Sequence, residues 1–350
     1  MSNWLKSLGS AFSSRSTTPV EGELDHLPSS RSHSPIPYNM GQTTSKPLPP
    51  EASVPPPDLV DADPCISCPD PCDTHRSLPF YLKIDHDIPL EGTMKPYGRH
   101  VVIATDRIDW AEDISDEQGS LAAALLDPNP EQPRIVTTNS SLTNLISTRP
   151  HSHDVLLFPD NLLIGNVTAR NAELFYDMFL TNPPVLQGED GEEVTHVPEM
   201  PSDSPFVVRV NMYEHVIMIC SHKKRDKRCG IVAPLLKDEF VRVLNDKNIV
   251  EGEGGAVVLM VSHIGGEFGL HVLLGWEEEE REIAFGFAGN IILYSAQGRR
   301  GVWYGRVKVC HIRAIIERSI EQGRVLRELY RGCMDGSFLR KEGRQEELAW

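Results

Sequence analysis

The sequence has little positive charge, no long apolar run and no apolar segment after its first basic residues. Its formal net charge of -16 argues against a general nucleic-acid binder, because neutralising phosphates requires a basic face. The longest apolar runs, such as Ala256–Val261, are far too short to span a bilayer. Without a secretory signal the chain is expected to be intracellular, so its seven cysteines are expected to be thiols or metal ligands, not disulfides.

The familiar signatures of an independent enzyme are also missing. No Gly-rich nucleotide-binding fingerprint follows a strand-like segment, and no Ser/His/Asp arrangement can be singled out. We therefore expect a protein without independent catalytic activity, located in the cytoplasm. The first 18 residues, which contain Lys6, Arg15 and no acid, weakly resemble a mitochondrial transit peptide and leave the mitochondrion as the alternative.

Composition divides the chain into four parts. Residues 1–60 are rich in Ser and Pro and are expected to be a disordered tail. Strand-like and helix-like patterns alternate over 61–190 and over 205–333, which predicts an α/β fold with a smaller first domain and a larger second one. Residues 334–350 are expected to be a flexible tail. No internal repeat is visible.

Apolar periodicity predicts the individual elements of the two α/β regions. Predicted strands cover residues 100–104, 134–138, 154–158, 206–210, 215–219, 256–261, 290–294 and 302–309. Predicted helices cover residues 115–126, with Ser115 as N-cap, and residues 171–180, 234–244 and 311–329.

Two cysteines frame a dense basic run inside this acidic chain. Cys220 ends a predicted strand, Cys229 follows nine residues later, and residues 221–228 read Ser-His-Lys-Lys-Arg-Asp-Lys-Arg. Nearby cations lower the pKa of a thiol and favour the thiolate, which is the form that binds metals. The spacing is also compatible with a solvated loop or a nuclear localisation signal.

A histidine and two glycine-bearing segments complete the pattern. His263 follows the buried strand 256–261 and precedes Gly265 and Gly266, where glycine allows close approach of the backbone to a ligand. Farther along lie Phe-Ala-Gly-Asn at 287–290 and Gly-Val-Trp-Tyr-Gly-Arg-Val at 301–307. Taken alone, each of these segments is typical of ordinary strands and turns.

Taken together and in this order, the segments resemble the sucrase/ferredoxin-like family of fungi and plants, over roughly residues 65–333. The resemblance implies a thioredoxin-like ferredoxin domain in the C-terminal half, with a [2Fe–2S] cluster held by two cysteines and two histidines. It assigns three ligands directly, as Cys220, Cys229 and His263. No pair of carboxylates supports a glycosidase activity of the kind that the word sucrase suggests.

The fourth ligand position departs from the family pattern. The second histidine is expected four residues after His263, where this chain has Glu267. Residues 267–286 form an insert at a place where the family has about two residues. The fourth ligand is then either His271, displaced by the insert, or the carboxylate of Glu267. A third alternative is that the insert is a gene-prediction artefact.

Imidazole in place of thiolate makes a cluster less negative and raises its reduction potential. We therefore expect an electron-transfer or redox-sensing protein with an unidentified electron partner. The first alternative is a zinc-stabilised or metal-free interaction protein, since the same ligands suit Zn²⁺. The second is a thiol oxidoreductase, which the sequence disfavours because redox-active dithiols are normally Cys-x-x-Cys.

Two smaller features bear on metals and partners. Cys65, Cys68, Cys72 and His75 form a compact group whose spacing could hold Zn²⁺. The C-terminal Leu348-Ala349-Trp350 resembles the tail by which cytosolic iron–sulfur proteins engage their assembly machinery. That machinery is accordingly the expected partner, and neither nucleic acid nor a membrane is expected to bind.

Overall fold

The computed structural model describes residues 54–61, 75–84, 86, 88–125, 133–182, 184, 195–264 and 287–338. All of them belong to one compact unit that spans residues 45–350. The strands of this part of the chain are β1 (Val60–Asp61), β2 (Arg99–Ala104), β3 (Ile135–Ser140), β4 (His153–Phe158), β5 (Leu162–Val167), β6 (Val207–Val210), β7 (His215–Cys220), β8 (Ala256–Val261), β9 (Ile291–Ser295), β10 (Arg300–Tyr304), β11 (Val325–Leu326) and β12 (Tyr330–Cys333).

The helices are fewer than the strands among these residues. The α-helices are α1 (Leu121–Ala124), α2 (Ala172–Phe179), α3 (Lys227–Asp246) and α4 (Ile312–Ala314). Helix α4 continues as a π-helical segment, Ile315–Ile320. Short 3-10 turns cover Pro57–Leu59, Ile114–Asp116, Ala169–Asn171, Val309–His311 and Arg327–Leu329. No helix in the described ranges is both long and apolar enough to cross a membrane.

Ten of the strands form one mixed sheet in the order β12-β10-β9-β7-β8-β3-β2-β4-β5-β6, and β1 pairs separately with β11. The sheet contains the same four-stranded pattern twice. In each half a parallel pair, β2–β3 or β7–β8, is joined on one side by two antiparallel strands, β4–β5 or β9–β10. The halves meet at a single antiparallel residue pair, Ser140 with Val261.

The sheet folds over at this junction. Strands β4 and β9 are five positions apart, which would separate them by roughly 24 Å in a flat sheet. Nevertheless the ring of Phe158 stacks on that of Tyr294 with centroids 3.9 Å apart. One apolar core therefore lies between the two halves. The second core packs α3 and α4 on the outer face of one half, and the third packs α1 and α2 on the other.

A buried chain of polar side chains crosses the inner core. The indole of Trp303 donates to the Tyr97 hydroxyl (2.8 Å), which is hydrogen-bonded to the Tyr294 hydroxyl (2.6 Å). His100 is hydrogen-bonded to Tyr294 through Nδ1 (2.8 Å) and to Thr138 through Nε2 (2.9 Å). Burial lowers the pKa of His100 to about 3, so its ring is neutral. The chain links strands of both halves with every ring nitrogen and hydroxyl paired.

Most predicted strands and the helix at 171–180 are confirmed, but three helix predictions need correction. Helix α3 begins at Lys227, seven residues before Pro234, because Asp226 caps it by accepting from the Arg228 N–H. Ser120, not Ser115, caps α1. The predicted helix over 311–329 ends at Ile320, and a turn at Gly323 (φ +65°) leads into β11 instead.

Several predictions fall partly or wholly outside the described residues. Residues 54–60, the last part of the expected tail, are described and carry a 3-10 turn (Pro57–Leu59) and the first residue of strand β1. Residues 1–53 of that tail lie outside the described residues, as do Cys65, Cys68, Cys72, the whole insert 267–286 with Glu267 and His271, and Leu348-Ala349-Trp350.

Candidate functional site

The two cysteines meet at the junction of β7 and α3. Cys220 is the last residue of β7, and Cys229 lies in the first turn of α3. Each is 1% exposed, and the two thiols are hydrogen-bonded to each other. The nine-residue spacing predicted from sequence is therefore short enough in space for both sulfurs to share one ligand.

The loop between the cysteines is held tightly against the helix. Asp226 accepts from the Arg228 N–H at 2.8 Å and forms a bidentate pair with the Arg228 guanidinium. A Cβ on Gly230 would lie 2.5 Å from the Lys223 Cβ, so only glycine fits after Cys229. This close packing explains how the six-residue loop of residues 221–226 returns the chain to the end of β7.

The pKa values of the two buried thiols are shifted in opposite directions. The pKa of Cys220 lies well below its usual value, first because of the hydrogen bond from Cys229, and then because of interactions with His263 and the Ile264 N–H. The pKa of Cys229 is raised, mainly because it is the donor to Cys220. Cys220 is therefore the more acidic thiol of the pair.

His263 reaches the pair from the neighbouring strand. Strands β7 and β8 are parallel, with Cys220 opposite Val261, so the residues that follow β8 lie beside the sulfur. The imidazole of His263 interacts with Cys220 and lowers the pKa of its thiol. The structure thus brings together the three ligands that the resemblance assigned. All three lie among the described residues.

His222, which the sequence analysis treated only as part of the basic run, positions His263. Its Nδ1 accepts from the His263 N–H at 3.1 Å, and its Nε2 donates to the carbonyls of Ala111 (2.8 Å) and Trp110 (3.3 Å). Burial lowers the pKa of His222, which keeps the ring neutral with this arrangement of donor and acceptor. A loop of the N-terminal half therefore supports the cysteine site.

Replacing His222 is expected to remove its hydrogen bonds to the His263 N–H and to the Ala111 carbonyl. His222→Phe leaves the His263 N–H and the Ala111 carbonyl without their partner and should lower the free energy of unfolding by about 1–3 kcal/mol. His222→Asn keeps an acceptor near the Nδ1 position and should lose less. Urea unfolding of the three proteins measures the difference, and equal stability of all three would exclude the positioning role.

The charges of the basic run are not the main cause of the low pKa of Cys220. The largest causes that lower it are the hydrogen bond from Cys229 and the interactions with His263 and the Ile264 N–H. At Cys229 the charge of Arg228 lowers the pKa, as expected for a cation of the run, but the charge of Asp226 opposes it. The effect of the run on the thiols is therefore seen at Cys229, where a carboxylate opposes it.

The described donors do not form a complete metal site among themselves. Among the described residues no group of three or more His, Cys, Asp or Glu side chains is arranged to hold a single metal ion. In [2Fe–2S] centres with histidine ligands, however, two cysteines bind one iron and the imidazoles bind the other. A compact thiol pair with an adjacent imidazole fits that division, and the second imidazole position falls outside the described residues.

His75 is the one described member of the second predicted metal group. Its side chain is 8% exposed, and its Nδ1 lies 3.9 Å from a carboxylate oxygen of Glu239. Its Nε2 is buried without a hydrogen-bond partner among the described residues. Zinc binding by this histidine with Cys65, Cys68 and Cys72 stays a prediction.

A family model for sucrase/ferredoxin-like proteins matches residues 90–268 and 285–332. The chain belongs to the sucrase/ferredoxin-like family. The match covers Cys220, Cys229 and His263, and its interruption at 269–284 coincides with the insert that the sequence predicted at 267–286.

Other members of the sucrase/ferredoxin-like family are similar along most of this chain. Altered inheritance of mitochondria protein 32 of Meyerozyma guilliermondii is 26% identical over 77% of this chain and 95% of its own. Its namesake in Clavispora lusitaniae is 27% identical over 73% and 88%. Actin patches distal protein 1 of Saccharomyces cerevisiae is 26% identical over 68% and 74%. No solved structure matches this chain.

Proposed function

We propose that this protein is an electron-transfer or redox-sensing protein that binds a [2Fe–2S] cluster through Cys220, Cys229 and His263. The observation that carries the proposal is the buried pair of hydrogen-bonded thiols with an imidazole on Cys220. Thiolate is the form that binds iron, and the lowered pKa of Cys220 favours that form. The buried position also limits access of water and oxygen to such a centre.

The strand order supports a thioredoxin-like description of the C-terminal half. A parallel strand–helix–strand unit, β7-α3-β8, is followed by the antiparallel pair β9–β10, which gives the order β10-β9-β7-β8. Thioredoxin-like folds share this arrangement and place their functional cysteines where the first strand meets its helix. Cys220 and Cys229 occupy that junction here.

A histidine-ligated cluster supplies reversible one-electron transfer at a higher potential than an all-cysteine one. The protein itself contributes the position of the ligands and the charge around them. Helix α3 directs its positive N-terminal dipole at the sulfurs, which favours their negative charge. His222 fixes the backbone from which His263 projects. We further propose that assembly depends on the C-terminal tryptophan signal and takes place in the cytoplasm.

One observation favours a second candidate function. Two thiols in hydrogen-bond contact, one of them with a lowered pKa, are also suited to form a disulfide. A thiol oxidoreductase is therefore the main alternative, and a zinc-stabilised protein is the other because the same donors suit Zn²⁺.

Anaerobic purification distinguishes the three functions. We expect a red-brown protein with about two irons and two sulfides per chain, and a paramagnetic signal after one-electron reduction. A colourless protein with stoichiometric zinc would support the zinc alternative. A colourless, metal-free protein whose thiols oxidise reversibly to a disulfide would support the oxidoreductase, and either result would reject the cluster.

A further inference from the structure

A buried arginine that no sequence pattern singled out lies next to the cysteine site. Arg331 of β12 has no exposed surface. Its guanidinium donates to the Thr93 hydroxyl (3.0 Å), the Thr93 carbonyl (3.3 Å), the Ile264 carbonyl (3.3 Å) and Asn290 Oδ1 (3.0 Å). All four acceptors are uncharged, and no carboxylate of the described ranges forms an ion pair with it. Such burial of an unpaired charge is costly and rare.

The surrounding residues are shaped to keep this cation in place. The guanidinium carbon lies 5.4 Å from the ring centroid of Phe287 and 6.0 Å from that of Trp303. A Cβ on Gly305 would lie 2.8 Å from the Arg331 Cδ, so glycine at this position makes room for the side chain. The pKa of Arg331 is lowered by burial to about 10, which leaves it positively charged at neutral pH.

Two of the residues that hold Arg331 also contact Cys220. The Ile264 N–H donates to the Cys220 sulfur, while the Ile264 carbonyl accepts from Arg331. The Asn290 carbonyl accepts from the Cys220 N–H at 3.0 Å, while its side chain accepts from Arg331. Ile264 and Asn290 therefore each link the Arg331 guanidinium directly to Cys220. The negative charge of Cys220 stabilises the Arg331 cation.

We propose that Arg331 is the buried counter-charge of the sulfur site and a positioning residue for it. Its positive charge stabilises negative charge on Cys220, and it stabilises the reduced state of a bound cluster more than the oxidised state. The cluster part rests on the function proposed above, whereas the thiolate part does not. Arg331 does not contact a reacting atom and acts through Ile264 and Asn290.

Neutral variants test the proposal. Arg331→Met should shift the midpoint potential of the loaded protein to a lower value, because a buried cation that stabilises the added electron is lost. Arg331→Gln is a second neutral variant that can still donate to the Ile264 carbonyl, so it can be used if the methionine variant fails to fold. Arg331→Lys keeps the charge and should stay closer to the parent. Arg300→Met is the matched control, since Arg300 also lies over an aromatic ring, that of Phe338.

A second readout needs no cluster. In the metal-free protein at fixed neutral pH, the ultraviolet absorbance of the thiolate should fall in the neutral variants of Arg331 and stay unchanged in Arg300→Met. If the parent binds no iron at all, the proposed function fails and this measurement alone decides on Arg331. Unchanged thiolate absorbance in a folded neutral variant, or an unchanged midpoint with full iron content, would overturn the counter-charge role.

Discussion

Cys220→Ser and Cys229→Ser are each expected to give a folded, colourless protein with iron at background level. A serine hydroxyl does not ionise at neutral pH, so each substitution removes one of two thiolate donors and would leave one iron with a single cysteine ligand. Iron and sulfide analysis of anaerobically purified protein, together with visible absorbance, measures the loss.

Two other cysteines provide matched controls for this experiment. Cys333 is buried in β12 and Cys310 is partly buried in the 3-10 turn before α4, and neither lies at the β7–α3 junction. Cys310→Ser and Cys333→Ser should keep their colour and iron. Retention of full colour in both Cys220→Ser and Cys229→Ser would reject the ligand assignment. Loss of colour in all four variants would indicate a general effect on stability.

The strands that position the site could be predicted because their apolar runs are continuous. Strands β7 and β8 are buried on both faces. A continuous apolar run such as Ala256–Val261 is typical of a strand of this kind. The duplicated strand order could not be predicted in the same way. It is a property of pairing between distant strands, and the two halves share no visible sequence repeat.

The ligand positions could be predicted, whereas the residues that support them could not. His222 stands among lysines and arginines that suggest a solvated loop, and its partners Trp110 and Ala111 lie more than a hundred residues earlier in the chain. Arg331 stands in a short strand without clear periodicity. Burial of either side chain depends on tertiary contacts that no local pattern records.

Ile264 and Phe287, the last and first described residues on either side of the insert, lie close together at Arg331. The Ile264 carbonyl accepts from the guanidinium at 3.3 Å, and the guanidinium carbon lies 5.4 Å from the centroid of the Phe287 ring. The carbonyl and the ring centre are therefore within roughly 10 Å of each other, a gap that three or four extended residues can bridge. The chain thus leaves and re-enters the fold at one place, so shortening the insert is compatible with the rest of the structure.

Deleting residues 269–286 together with Glu267→His is expected to restore a four-ligand site. The change leaves two residues between Gly266 and Phe287, as in the family pattern, and places an imidazole four residues after His263. We expect iron and sulfide to stay at about two each per chain, and the colour to persist longer in air than in the parent, because each iron would then have two protein ligands.

Three further variants identify the fourth ligand of the parent protein. The same deletion with Glu267 retained should bind less iron than the deletion with histidine, since carboxylates are uncommon cluster ligands. His271→Ala in the full-length chain should remove iron only if His271 is the displaced ligand, and Glu267→Ala only if the carboxylate is. If the deletion with histidine folds but binds no more iron than the deletion with glutamate, position 267 is not a ligand position. The second imidazole would then have to come from elsewhere in the chain.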